Sequence, residues 1–303
     1  MKLSHYFYKT ADTKRDSALY ISDTLPLRDR YMSDVHVKLY AKELEEFKGS
    51  PTLKSALLYI GGGLEHHSLS RYHQCHSELP RSSAVVKSQV GYAAHKYALL
   101  IGNIDYMSIN ANACASAMYA IYEAQNLLYK EGYDEVFIVG EEWVEPNELL
   151  LYKQLGIGIT CSDGFVVARF EKYSNTYETF DPLFHKATWL FHPESACLNF
   201  SKAGYAKVLK SYMYDQVDVV KTHGTGTDNN NEAEDGAIAE ILGDVSKLYY
   251  KQSIGHSQGV STLLEICVSM DDESLKNKTI LALASGLGNF YGGVLYRRAT
   301  DEF

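Results

Sequence analysis

Residues 217–227, Val-Asp-Val-Val-Lys-Thr-His-Gly-Thr-Gly-Thr, carry an apolar, β-branched run into a histidine and then a loop of glycines and threonines. Val217–Thr222 reads as a strand, and the Gly224 and Gly226 loop lets backbone approach a ligand closely. The same layout recurs nearby. Lys251–Gly255 reads as a strand that delivers His256 to the start of a helical stretch, Ser257–Met270. Upstream, Met107–Ala113 reads as a strand that delivers Cys114 to the start of a helical stretch over Ala115–Lys130, closed by Gly132. Three reactive side chains at three strand ends make a site hypothesis where one alone would not.

Further strand-like runs lie at Ser55–Ile60, Val136–Gly140, Phe165–Phe170, Thr279–Ala284 and Gly293–Tyr296, with another helical stretch over Ala233–Leu242. Ser17–Ser22 reads as a strand and Val37–Phe47 as a helix. Strands alternating with helices imply mixed sheets with helices packed on them. The repeated order, each time closed by an antiparallel-looking pair, suggests two related halves, residues 1–172 with the cysteine and 173–303 with the histidines.

Composition excludes other classes. The chain has 303 residues, with 46% hydrophobic and 22% charged, which is globular and rules out collagen-like or wholly disordered readings. Apolar runs fall short of the roughly 18 residues a membrane helix needs, so no membrane association is expected. The first residues, MKLSHYFYKTADTKRDS, lack the apolar core of a secretory leader. Five cysteines stand singly at 75, 114, 161, 197 and 267, a pattern that fits a reducing cytoplasm. A net charge of −9 argues against a nucleic-acid partner, which needs a concentrated basic surface. The first hundred residues are mildly basic, so an acidic protein partner fits that end.

Each reactive residue also has a plain structural explanation. Cys114 among Ala and Ser residues could be a packed core thiol, although a helix start favours thiolate. Each histidine could be satisfied at a tight turn. A helix start opposes protonation of His256, and the neutral ring can donate to developing negative charge. His66, His67, His73, Cys75 and His76 cluster without zinc-like spacing, and Gly61-Gly62-Gly63 lacks the register of a phosphate cradle.

Taken in order, ACAS at 113–116, HGTGT at 223–227, KQSIGH at 251–256 and SGLGNFYGG at 285–293 resemble the β-ketoacyl synthases, condensing enzymes of fatty-acid and polyketide synthesis with the thiolase fold. The resemblance runs from about Ser55 to Arg297. It implies a layered α-β-α-β-α architecture of two similar halves. It places the nucleophile at Cys114, the two histidines at His223 and His256, a lysine at Lys251 and its partner carboxylate at Glu265. Asn230 and Glu234 match the segment after HGTGT. The resemblance further implies an oxyanion hole from the backbone of Cys114 and Leu287, and contacts to a pantetheine arm from Thr225, Thr227 and Asn289. No tightly bound cofactor is implied. The 4'-phosphopantetheine arrives on an acyl carrier protein, and a homodimer or heterodimer with another ketosynthase-like subunit is expected.

His256 in place of asparagine resembles the elongating branch, and no second cysteine near the C-terminus resembles that of thiolases. The chain is short between Phe170 and Val217 and near its N-terminus. Val166-Val167 replaces an expected Gly-Glu pair, and Leu287 replaces a gating phenylalanine. These departures keep two rivals open: a non-condensing acyltransferase that uses Cys114, and a non-catalytic partner of a full-length synthase.

Overall fold

The computed structural model describes residues 1–15, 17–28, 30–61, 86–87, 89–154, 156–173, 183–193 and 200–298. Five strands form a first set: β1 (Lys2–Thr10), β2 (Ser55–Ile60), β3 (Ile104–Asn110), β4 (Glu135–Glu142) and β5 (Gly164–Glu171). A second set follows: β6 (Leu183–Phe191), β7 (Val219–Lys221), β8 (Ser246–Leu248), β9 (Thr279–Gly286) and β10 (Phe290–Arg297). Hydrogen bonds order the first set β3-β2-β4-β5-β1 and the second β8-β7-β9-β10-β6, so each strand has a counterpart in the other set. The directions match as well. β2 runs parallel to β3 and β4, as β7 does to β8 and β9. β5 is antiparallel to β4 and β1, as β10 is to β9 and β6. The two sets join at one partner pair, Lys2 with Leu183.

Helices complete the repeat: α1 (Met32–Leu39), α2 (Val90–Ile101), α3 (Ser116–Tyr129), α4 (Pro146–Gln154), α5 (Lys202–Lys210), α6 (Asp228–Ile241) and α7 (Ser261–Asp271). α3 packs on β2 and β4 of one set, on β6 and β10 of the other, and on α7, which itself touches β1, β5 and β9. These two helices are therefore the central layer. α2 covers the outer face of β2 and β3, and α5 with α6 covers that of the second set, which completes five layers.

Burial follows the two-residue period of strands. Ala56, Leu58 and Ile60 of β2 enter the central core with Met118, Ile121 and Leu264, whereas Leu57 and Tyr59 enter the outer core with Tyr97 and Phe165. In β9, Ile280, Ala282 and Ala284 face the centre, while Leu281 and Leu283 face Tyr205 and Leu209 outside. Strands covered on both faces read as continuous apolar runs, and those were the runs legible in the sequence.

Several expectations need correction. Lys251–Gly255 is not a strand: Lys251–Ile254 is one helical turn, closed by the Gly255 N–H donating to the Lys251 carbonyl at 3.1 Å. The strand of that repeat is β8, which pairs with β7. Val37–Phe47 is not one helix either, because α1 ends at Leu39 and Tyr40 leaves helical geometry before two short turns. Ser17–Ser22 contains only Ala18–Tyr20, paired with Thr13–Arg15 in a small hairpin. β1 and β6 mix polar and apolar residues and gave no clear pattern.

A polar knot lies within the outer core of the first set. Glu141, fully buried on β4, accepts from Tyr59 and Tyr97 at 2.8 Å and from His36 Nδ1 at 2.7 Å. The Trp143 indole N–H donates to His36 Nε2 at 3.1 Å, which leaves the imidazole proton on Nδ1, facing the carboxylate. Glu141→Ala would strand three buried donors and is expected to cost about 3–5 kcal/mol of stability, read as a lowered urea midpoint.

Candidate active site

The nucleophile candidate sits on a tight turn between β3 and α3. Ala113 adopts φ 49°, and the Ala115 N–H donates to the Asn112 carbonyl at 3.1 Å. Ser116 Oγ accepts the Asn112 N–H at 2.7 Å and donates to the Ala113 carbonyl at 2.6 Å. The turn sets Cys114 at the start of α3 with 8% of its surface exposed. Its thiol donates to Gln258 Oε1 at 3.5 Å. Burial pushes the thiol up to about 12; Lys251 opposes this, and Glu142 and Glu148 add to it. The expectation that the helix start would favour thiolate is thus corrected: desolvation outweighs the dipole in the resting site.

His223 follows β7, where the backbone turns sharply. Its N–H and that of Gly224 donate to the buried Glu234 of α6 at 2.6 and 2.9 Å. Gly224 has φ 50°, and a Cβ there would lie 2.7 Å from Thr222 Oγ1, so glycine is required. His256 is clamped by a short ladder: its N–H donates to the Thr160 carbonyl at 2.8 Å, and the Ser162 N–H donates to the His256 carbonyl at 3.0 Å. The Gln258 N–H donates to His256 Nδ1 at 3.0 Å, so the proton of the neutral ring sits on Nε2.

The two rings lie 5.9 Å apart and nearly perpendicular. His256 Nε2 and both His223 nitrogens are buried without a hydrogen-bond partner among the described residues. Other buried polar atoms lack partners as well; what sets these nitrogens apart is that they belong to two imidazoles side by side, which leaves them available to a ligand. Burial first, and then the Lys251 charge, hold both histidines well below the ordinary imidazole range. They are neutral at physiological pH.

Beneath them is a charged layer. Lys251 Nζ donates to Glu265 Oε1 at 2.6 Å and to the His223 carbonyl at 2.7 Å. Lys221 pairs with the other Glu265 oxygen and donates to the Leu283 carbonyl at 3.3 Å. Lys221 escaped the sequence reading; a lysine inside an otherwise apolar strand was the available signal. Gln258, Glu148 and Tyr152 also escaped it, and nothing in their local sequence marks them.

The remaining candidates lie in the loops after β7 and β9 and in α6. Leu287 and Asn289 lie in the β9–β10 turn. A Cβ at Gly286 would stand 2.6 Å from the Asn112 carbonyl oxygen, which places this turn against the cysteine turn. The Asn289 carbonyl accepts the His192 N–H at 3.0 Å. Thr225 and Thr227 bring their hydroxyls within 3.0 Å of each other. Asn230 accepts from the Tyr205 hydroxyl at 2.6 Å. His66, His67, His73, Cys75, His76 and Cys197 lie outside the described residues, as do Gly62 and Gly63. Among the described residues no His, Cys, Asp and Glu group could hold a metal, and no helix is long and apolar enough to cross a membrane.

Duplicated five-stranded sets of matching order, with helices between and outside them, define a thiolase-like ketosynthase fold. Residues 200–282 match the family described as "Beta-ketoacyl synthase, C-terminal domain", and the resemblance to β-ketoacyl synthases stands. Among solved structures, the chain is similar to one in the type II polyketide AntDE:AntF complex, an acyl-carrier protein with its ketosynthase bound to the hexaketide. The TM-score is 0.74 at 13% identity, over 97% of this chain and 92% of that one. A β-ketoacyl synthase from Burkholderia phymatum STM815 gives 0.71 at 15% identity, over 93% and 88%. Ketosynthase twelve of the bacillaene polyketide synthase in Bacillus amyloliquefaciens gives 0.67 at 13% identity, over 88% of this chain but 60% of that one. No curated protein matches the chain in sequence.

Proposed function

We propose that the chain is a β-ketoacyl-[acyl carrier protein] synthase, with the nucleophile in residues 1–172 and the histidines in 173–303. The observation that carries this reading is a linked set: Gln258 joins the Cys114 thiol at 3.5 Å to His256 Nδ1 at 3.0 Å, and the His223 ring lies 5.9 Å from that of His256, both rings buried and held neutral, with nitrogens that have no partner among the described residues. Cys114 attacks an acyl thioester on the phosphopantetheine arm of an acyl carrier protein; the acyl group moves to sulfur, and the thiol proton leaves with the carrier thiol. Backbone N–H groups of Cys114 and Leu287 hold the oxyanion. Thr225, Thr227 and Asn289 contact the arm. A malonyl thioester then loses CO2. His256 Nε2–H and His223 stabilise the resulting enolate, which attacks the acyl-Cys114 carbonyl. Cys114 leaves as thiolate and is reprotonated, and the product is a β-ketoacyl carrier thioester. Lys251 and Glu265 tune the histidines by charge.

A paired assembly suits the same reading. β3 is a sheet edge, and Tyr106, Met107 and Ile109 on it are 38, 40 and 39% exposed. Edge strands with apolar exposure invite pairing with a second, related subunit.

The test is intact-protein mass spectrometry after incubation with acyl carrier proteins bearing different acyl groups, followed by malonyl carrier protein. An acyl mass gain, CO2 release and a β-ketoacyl carrier product are expected. An adduct without CO2 release would replace this reading with a non-condensing acyltransferase. No adduct with any donor would replace it with a non-catalytic partner subunit; one similar structure is the ishigamide ketosynthase/chain length factor.

A further inference from the structure

Gln258 touches both sides of the proposed chemistry. It opens the short turn Gln258–Val260 in a left-handed conformation, φ 44°, which non-glycine residues rarely adopt. Such strain persists only where the surroundings over-determine it. Here they do. The backbone N–H holds His256 Nδ1 at 3.0 Å, and the buried side chain reaches the other way. Its Nε2 donates to Glu148 Oε1 and, at 2.8 Å, to the Tyr152 hydroxyl, while Oε1 accepts the Cys114 thiol at 3.5 Å.

The direction of this chain follows from its chemistry. An ionised Glu148 can only accept, so the amide must turn its NH2 towards it. That leaves the amide oxygen facing Cys114, and a sulfur beside that oxygen is stabilised when it keeps its proton. We propose that Gln258, braced by Glu148 and Tyr152, is a positioning residue that keeps the Cys114 proton on sulfur and restrains the nucleophile until a carrier thioester enters. This rests on the reading of Cys114 as the nucleophile.

The charged groups facing Cys114 pull in opposite directions, and burial adds to the carboxylates' side. Lys251 favours the thiolate, whereas Glu142 and Glu148 oppose it. Tyr152 and Cys161 are both held neutral by burial, and the Cys161 thiol also donates to Glu148 at 3.5 Å. Burial raises Glu148 to about 7, so its carboxylate forms within the working range of pH. Restraint of this kind does not block acyl transfer between thiols, because the proton departs with the carrier thiol.

The test is alkylation of Cys114 by iodoacetamide in the full-length protein across pH 6 to 10, located by peptide mass. Glu148→Gln removes the charge and keeps an acceptor; Gln258→Leu removes the thiol's acceptor. Each is expected to speed alkylation at pH 8 on the order of tenfold, with the profile moving about one pH unit lower. The double variant should move no further than the larger single change, because the two residues act in series. An unshifted or upward-shifted profile in both variants, with melting temperatures showing them folded, would overturn the proposal. The assay needs no carrier protein, so failure of the condensing reaction and failure of this restraint give separate results.

Discussion

Cys114→Ala is expected to abolish the acyl adduct and to reduce condensation by at least about a thousandfold, because the covalent intermediate can no longer form. The substitution removes one atom from a site whose turn is held by Asn112, Ala113 and Ser116, so the fold and the binding of a carrier should persist. The histidines separate from the cysteine in the same experiment. His256→Ala should leave acylation of Cys114 near its wild-type level while CO2 release falls on the order of a hundredfold, since only the enolate-forming step loses its Nε2–H donor. Acyl mass gain and CO2 release, measured on one panel of variants, check both statements. Equal loss of both steps in His256→Ala would show that the ring acts on the cysteine instead.

Glu265→Ala is expected to cost about 3–5 kcal/mol of stability, the largest loss anticipated for a single site in this half. Glu265 is the shared partner of Lys221 and Lys251, and all three side chains are almost fully buried. Removing it leaves two ammonium groups in the interior with carbonyl oxygens, of Leu283 and His223, as partners. Lys221→Met should cost much less, because Glu265 keeps its 2.6 Å bond to Lys251 and an apolar side chain suits the strand. Urea unfolding of the two variants measures the difference. A mild effect of Glu265→Ala would mean that the lysines shed their protons or reach water, and the electrostatic account of the neutral histidines would fall with it.

The acidic neighbours of Cys114 distinguish this site from a simple helix-start thiol. A cysteine at the N-terminus of α3 gains from the dipole, yet burial and the nearby carboxylates of Glu142 and Glu148 outweigh that gain. Reactivity therefore depends on what enters the site. A thioester exchange carries the proton away with the leaving thiol and needs no free thiolate pool.

Much of the architecture was legible before any coordinates. β2, β4, β5 and β9 are buried on both faces, so their apolar runs stand out, and α3 carries its own stop at Gly132. The motifs around Cys114, His223 and His256 were equally plain, because small residues must cluster where backbone turns sharply beside a reactive group. β1 and β6 stayed hidden: each has one partly exposed face, and their mixed composition carries no strong period. Lys251–Ile254 read as a strand because local pattern alone cannot tell a four-residue turn from a short strand. The sequence by itself thus determined the alternating class, and it marked Cys114, His223 and His256 as candidates, all through local spacing. Only the tertiary structure decided what surrounds them. Lys221 meets Glu265 across 44 residues of chain, and Gln258 meets Glu148 across 110. The first contact is set by packing within the second half and the second by packing between the halves, so no local pattern could announce them.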